Sequence, residues 1–217
     1  IESSISGDGI SAITWSLLPT LGIPTALASD LGENADVFWI TRCGQKRYVF
    51  SKFIASGLSG FFVQFIMFTV LEIVLSFQFP LFPNYLDDGF RLTVFVANTV
   101  TPVAGYFFVN IYLSLSGFWS GYMASAFSAF VPNRFAAVAF PTILYFLILR
   151  ILSVPTYIQR MTLAEEMLDI KKISWNCFEN TKNVYSAIGA KFIMVAVMCI
   201  IVGTAAVVYR ERRLNNA

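Results

Sequence analysis

The sequence predicts an all-α membrane protein, a polytopic helical bundle that forms a single transmembrane domain over residues 1–217. Apolar residues make up 57% of the chain and charged residues only 13%, about half the usual share in soluble domains. A soluble globule of 217 residues with 22 Phe could not bury that much apolar surface. The apolar runs are expected to be helices, because lipid satisfies none of the backbone polar groups.

Each membrane span needs about 20 mostly apolar residues, since a helix rises about 1.5 Å per residue through a core of about 30 Å. Five segments meet this requirement: residues 9–29, 50–78, 103–130, 135–153 and 189–209. Pro19, Pro24 and Pro141 lie inside these segments and are expected to kink or locally break their helices.

Lys and Arg near the span ends predict the orientation, because they are enriched on the cytoplasmic side. Three basic segments fall on one side of a five-span arrangement: residues 42–52, Arg134 and residues 210–213. This places the C-terminus in the cytoplasm and a helical loop, residues 154–188, on the outer surface. An outside N-terminus suggests one more span before Ile1, six in the intact protein. We expect a multi-pass protein of a bacterial cytoplasmic membrane.

Several function classes are excluded by composition. Histidine is absent, which excludes His-dependent catalysis and His-ligated metal sites on this chain. Cys43, Cys177 and Cys199 form no CxxC motif, and the net charge of +2 gives no indication of nucleic-acid binding. The sequence also lacks the P-loop pattern GxxxxGK[ST]. We therefore expect no catalytic residue, metal or cofactor on the chain itself.

The segment between the first two spans, residues 30–44, has the pattern of a short amphipathic helix. Asp30 and Glu33 stand at capping-box spacing, acidic residues come before basic ones, and Gly44 is suited to end the helix. Two interpretations follow from these residues. The helix lies at the interface with Trp39 and its basic residues against lipid headgroups, or it docks a cytoplasmic protein.

Small residues recur at every fourth position of the third span. They are Gly117, Gly121, Ser125 and Ala129. Such a stripe lets helix backbones approach closely in lipid, so helix packing, within the chain or between two copies, is favoured over a ligand site. A shorter stripe in the second span, with the same interpretation, comprises Ser51, Ala55 and Ser59.

Glu72 is an acid inside a long apolar run. It either lies near the outer interface, about one and a half turns from Phe77, or forms an intramembrane polar site such as a proton relay. The second alternative would make the chain an ion-coupled secondary transporter. A membrane scaffold without transport activity is a further alternative.

The order of these features resembles the permease subunit of type-2 ABC exporters. The features are the amphipathic helix, the string RCGQKRYVFSKFIASGL (Arg42–Leu58), a span rich in small residues, the short inner turn VPNR, a span with Pro141 and the basic tail YRERR. The resemblance covers essentially the whole chain, and the family's first span would precede Ile1.

By this resemblance, residues 30–44 would be the coupling helix that docks into a separate ATP-binding cassette subunit. Its expected contacts are Glu33, Asp36, Phe38, Trp39, Arg42 and Arg47. ATP and Mg would bind to the cassette subunits, which would pair with two permease chains, identical or different, in lipid. Because few charges fall within the spans, the expected cargo is amphipathic or hydrophobic: a peptide, lipid or drug.

Overall fold

The structure is a computed structural model that describes residues 17–21, 23–32, 36–77, 102–146 and 184–215. Within these ranges the chain is all-helical, with no strand, which confirms the predicted helical class. Two 3₁₀ turns, Leu18–Thr20 and Ile23–Thr25, come first. The α-helices that follow are α1 (Ala26–Gly32), α2 (Asp36–Cys43), α3 (Gln45–Ser76), α4 (Pro102–Ser128), α5 (Arg134–Phe146) and α6 (Val184–Asn215).

The central helix is α4, which packs against α3, α5, α6 and the 3₁₀ turns. Its most extensive interface is with α3, which runs antiparallel to it: Ser56 lies beside Gly121, and Gly60 lies beside Gly117. A methyl group built on Gly117 would lie only 2.6 Å from the carbonyl oxygen of Gly60. The two backbones therefore approach as closely as they do because these positions carry no side chain or a short one.

Large apolar side chains surround this close contact. Leu27, Val49, Phe53 and Trp119 are almost fully buried and belong to one core cluster. The cluster joins α1 and α3 to α4. In water, the hydrophobic effect of burying these side chains would be the main contribution to the stability of the bundle. In lipid, van der Waals packing between the helices would take that role.

Prolines mark the irregular parts of the fold. Pro19 and Pro24 lie in the 3₁₀ turns, outside any α-helix, as expected of residues that lack a backbone donor. Pro102 is the first residue of α4, a position where its missing N–H would have no partner inside the helix. Pro141 lies inside α5, which is helical on both sides of it.

The helices extend beyond the predicted apolar segments at the charged ends. α3 begins at Gln45, five residues before the predicted span, and α6 continues through the basic tail to Asn215. The limits of an apolar run show only where charged residues begin. The helix itself continues as long as its residues can pack, and near the start of α3 both Tyr48 and Val49 are buried. Residues 9–16 of the first predicted span and 154–183 of the predicted outer loop lie outside the described residues.

One stretch of the described chain, Gln45–Leu71, is long and apolar enough to cross a membrane, with a mean hydropathy of 1.8. The stretch Arg134–Leu144 of α5 is also apolar but shorter. On α3 the usual distribution of polarity is reversed: Ile66 is 58% exposed, whereas Gln64 is only 4% exposed. α6 also exposes apolar residues, among them Ile193, Val197 and Ile201.

Candidate functional site

Three basic chain segments meet at one end of the bundle. We call it the basic end and define it by Lys46, Lys52, Arg134 and Arg210. Lys46 Nζ lies 3.2 Å from a carboxylate oxygen of Glu211, which joins the start of α3 to the end of α6. Phe130, just beyond α4, packs against Tyr209 with the ring centroids 4.6 Å apart. The start of α3 and the ends of α4 and α6 therefore converge here.

Asp30 of α1 binds two side chains of α3. The Tyr48 hydroxyl donates to its carboxylate at 2.6 Å, and Lys52 Nζ lies 2.7 Å from the same oxygen. Burial alone raises the pKa of Asp30, but the hydrogen bonds from Lys52 and Tyr48 and the charge of Lys52 outweigh it, so the pKa lies below its usual value. The N-cap role predicted for Asp30 is wrong, because the residue lies inside α1, where its carboxylate faces α3.

The short helix α2 is amphipathic. Ile40 packs against the core cluster, whereas Phe38 is 52% exposed. The Arg42 guanidinium lies 4.3 Å from the centroid of the Phe38 ring, a cation–π contact one turn along the helix. Gly44 ends α2 with a positive φ of 78°, a conformation that glycine adopts without strain, and α3 begins at the next residue.

The described residues among those predicted to contact a cassette subunit lie on two helices. Phe38 and Arg42 form the exposed pair on α2, and Arg47 is exposed in the first turn of α3. Asp36 and Trp39 are also residues of α2. Glu33 lies outside the described residues. Elsewhere, Glu72 lies four residues before the end of α3, in the half of that helix remote from the basic end.

The small residues predicted for helix packing lie on the buried side of α4. Gly117 and Gly121 contact α3, Ser125 is fully buried, and Ala129 is buried just beyond the end of the helix. The stripe predicted for the second span does not pack within the chain: Ser51 and Ala55 are exposed, and the face that packs against α4 carries Ser56 and Gly60. α3 carries more than one stripe of small residues. The burial of the large residue Phe53 determines which of these stripes faces α4.

A cavity of about 300 Å³ opens between α3, α4 and α6. We call it the apolar groove, and its lining includes Phe50, Ile54, Phe118, Phe192, Ala196 and Ile200. Tyr122 also lines it, and its hydroxyl donates to the backbone carbonyl of Cys199 at 2.8 Å. Gly203 makes room for this hydroxyl, because a side chain there would overlap it. The groove wall is therefore almost wholly apolar.

Two features of these sites escaped the sequence analysis. Asn133 caps α5: its side-chain oxygen accepts the N–H groups of Phe135 at 2.9 Å and Ala136 at 3.3 Å. An Asn directly before a helical segment is a sufficient signal for such a cap. The hydrogen bond from Tyr122 to Cys199 joins positions 77 residues apart, and no local sequence pattern predicts it.

Comparison with known proteins gave no match: no family model, no curated protein and no solved structure is similar to this chain.

Proposed function

We propose that the chain is the membrane-embedded permease subunit of an ATP-driven exporter of the type-2 ABC class, with five spans in residues 1–217. The observation that carries the proposal is the position of α2. A short amphipathic helix lies at the basic end, directly before the candidate membrane helix α3, and exposes Phe38 and Arg42. A helix so placed is suited to dock a cytoplasmic protein.

The polarity of the bundle supports an embedded position. From Ile54 to Val74 the described exposed positions of α3 are apolar, and so are most of those on α6. Buried positions of α3 and α4 include Ser56, Gln64, Asn110 and Ser120. In water this arrangement would be costly, because the apolar faces would remain hydrated. In lipid it is favourable, since the apolar faces meet the acyl chains and the small or polar residues meet each other.

The basic end supports the orientation. Basic residues at the start of α3, the start of α5 and the end of α6 lie together at that end, which the positive-inside rule assigns to the cytoplasm. The C-terminus would then be cytoplasmic. α2 would then lie on the same side of the membrane as the companion ATPase that binds ATP and Mg.

The contacts of α2 and α1 give a route for the movement. α2 joins α3 through Gly44 alone, and Asp30 ties α1 to α3 through Lys52. A displacement of α2 by a closing ATPase would therefore act on the start of α3 and, through α3, on α4. The proposal needs a membrane bundle with two arrangements whose equilibrium the nucleotide biases, in a dimer of permease chains.

The natural cysteines offer a test of the orientation. Cys43 is exposed at the end of α2, and Cys199 is buried. In the Cys177→Ser variant, a membrane-impermeant maleimide should label Cys43 in inverted vesicles and not in right-side-out ones. In the Cys43→Ser variant, label should reach Cys177, in the predicted outer loop, only in right-side-out vesicles. Labelling of Cys43 from the outside would refute the proposed topology.

Docking is tested by the pair on α2. The chain is purified from its native membranes after photolabelling with azido-ATP, and the labelled polypeptide that accompanies it is measured. The double variant Phe38→Asp, Arg42→Glu should lose this polypeptide, and Cys43→Ser, an exposed change on the same helix, should keep it. Equal retention in both variants would count against the proposal. Transport that survives ATP depletion but fails in Glu72→Gln would favour the ion-coupled alternative.

A further inference from the structure

We propose that the apolar groove binds an acyl chain of an anionic membrane lipid whose headgroup lies beside Lys46 and Arg47. This inference rests on the membrane-embedded position proposed above. It assigns a lipid site to a surface formed by α3, α4 and α6, away from the helix α2 that would dock the ATPase.

The chemistry of the groove selects an apolar chain. Phe and Ile side chains dominate its lining, and the Tyr122 hydroxyl in its wall is already bonded to the Cys199 carbonyl. A ligand with polar groups would lose its hydrogen bonds to water there and gain none in return. The volume of about 300 Å³ is ample, since an apolar cavity of about 150 Å³ already holds a benzene molecule.

The groove opens onto the surface that the proposed function places in lipid. Its rim residues Ile54 and Ile200 are 49% and 61% exposed, and both continue the apolar outer faces of α3 and α6. An acyl chain can therefore enter sideways from the bilayer. The lining follows α6 from Phe192 to Ile200, a length of about 12 Å at 1.5 Å per residue, so the groove is elongated along the helix.

The groove reaches towards the basic end. Lys46, Phe50 and Ile54 are spaced four residues apart and share one face of α3. Phe50 and Ile54 lie about 8 and 14 Å from the start of α3, which places this end of the groove in the half of the bilayer next to the basic end. A chain held there has its headgroup at the level of Lys46.

Positive charge at that level favours an anionic headgroup. Lys46, Arg47 and Arg212 are exposed. Glu211 pairs with Lys46 at 3.2 Å and offsets one of these charges. The excess of cations attracts anionic lipid, as basic residues at the cytoplasmic surface generally do.

The test uses the full chain in nanodiscs of phosphatidylcholine that contain a small fraction of phosphatidylglycerol with a diazirine in its acyl chain. After illumination and digestion, mass spectrometry measures the fraction of the Phe192–Ile200 segment that carries the lipid. Ala196→Trp fills the groove, and Ala205→Trp places the same bulk on another exposed position of α6 as a control. A third variant, Lys46→Gln with Arg47→Gln, removes the headgroup contacts.

We expect Ala196→Trp to lower the crosslinked fraction at least fivefold and Ala205→Trp to leave it within twofold of the wild type. The glutamine variant should abolish the preference for the phosphatidylglycerol probe over a phosphatidylcholine probe with the same diazirine. Equal crosslinking in both Trp variants would overturn the proposal. So would crosslinking that occurs in nanodiscs with one copy of the chain and is lost in nanodiscs with two, because a second copy would then occupy the groove. Incorporation into nanodiscs and Cys43 labelling test the membrane position separately, so a failure of the groove alone is recognisable.

Discussion

Gly203 of α6 is the described glycine at which an added methyl group would come closest to another atom. A methyl built there would overlap the Tyr122 hydroxyl and lie 3.1 Å from a ring carbon of Phe50. The Gly203→Ala variant therefore has to displace Tyr122 and break its hydrogen bond to the Cys199 carbonyl. Gly189 of the same helix is the matched control, since none of the described atoms lies within 4 Å of a methyl built there.

The comparison of the two glycines isolates the steric term. Alanine gains about 1 kcal/mol of helix propensity over glycine at either position, so this gain cancels between the variants. Gly203→Ala adds overpacking, about 1–3 kcal/mol, and the loss of a buried hydrogen bond, about 1 kcal/mol. We expect it to be less stable than Gly189→Ala by about 3 kcal/mol.

Cys199 supplies the assay, because its thiol is buried and becomes reactive when α6 separates from α4. In a Cys43→Ser, Cys177→Ser background, the free energy of unfolding in mixed micelles can be followed by thiol labelling and by the helical circular-dichroism signal. Tyr122→Phe removes the overlapping hydroxyl and should relieve the Gly203→Ala variant, with a coupling of at least about 1 kcal/mol in the double-mutant cycle. Equal stabilities of the two glycine variants, or strict additivity with Tyr122→Phe, would refute this packing.

Three other changes have expected outcomes in the same unfolding assay. Gly117→Ala should be less stable than Gly189→Ala by about 2–3 kcal/mol, because its methyl would lie 2.6 Å from the Gly60 carbonyl oxygen, which belongs to the backbone. Asp30→Asn should lose about 1 kcal/mol at pH 7. Since the folded pKa of Asp30 is lowered, this difference is fully present above the unfolded pKa of about 4 and should vanish as the pH falls through the folded value. Asn133→Ala should cost about 1 kcal/mol and Asn133→Ser should retain most of the stability, because serine can still accept the N–H groups at the start of α5.

The helical class followed from the sequence because long apolar runs of this length have one compatible backbone structure in lipid. Local signals also placed several breaks. Gly44 ends a helix, and Pro19 and Pro24 lie in turns, since each restricts or frees the backbone at its own position.

Side-chain partners could not be predicted in the same way, because they depend on how the helices rotate about their axes. Asp30 has the spacing of a capping residue, yet it lies inside α1 and pairs with Lys52, which is 22 positions along the chain. On α3, the stripe Ser51 and Ala55 looks as suitable for packing as Ser56 and Gly60. Only the burial of the large residues elsewhere on the helix decides between them.

The serines of α4 show why a helix can be rich in hydroxyls without forming a polar site. Ser114, Ser120 and Ser128 each donate to the backbone carbonyl four residues earlier in their own helix. Each hydroxyl proton is therefore donated within α4 itself, whichever helix lies beside it. The close approach of Gly60 to Gly117 then requires no interhelical hydrogen bond from these serines. An interface that depends on shape in this way is sensitive to added volume and tolerates the loss of a hydroxyl group. A proton relay or a catalytic site would instead depend on its hydroxyl groups.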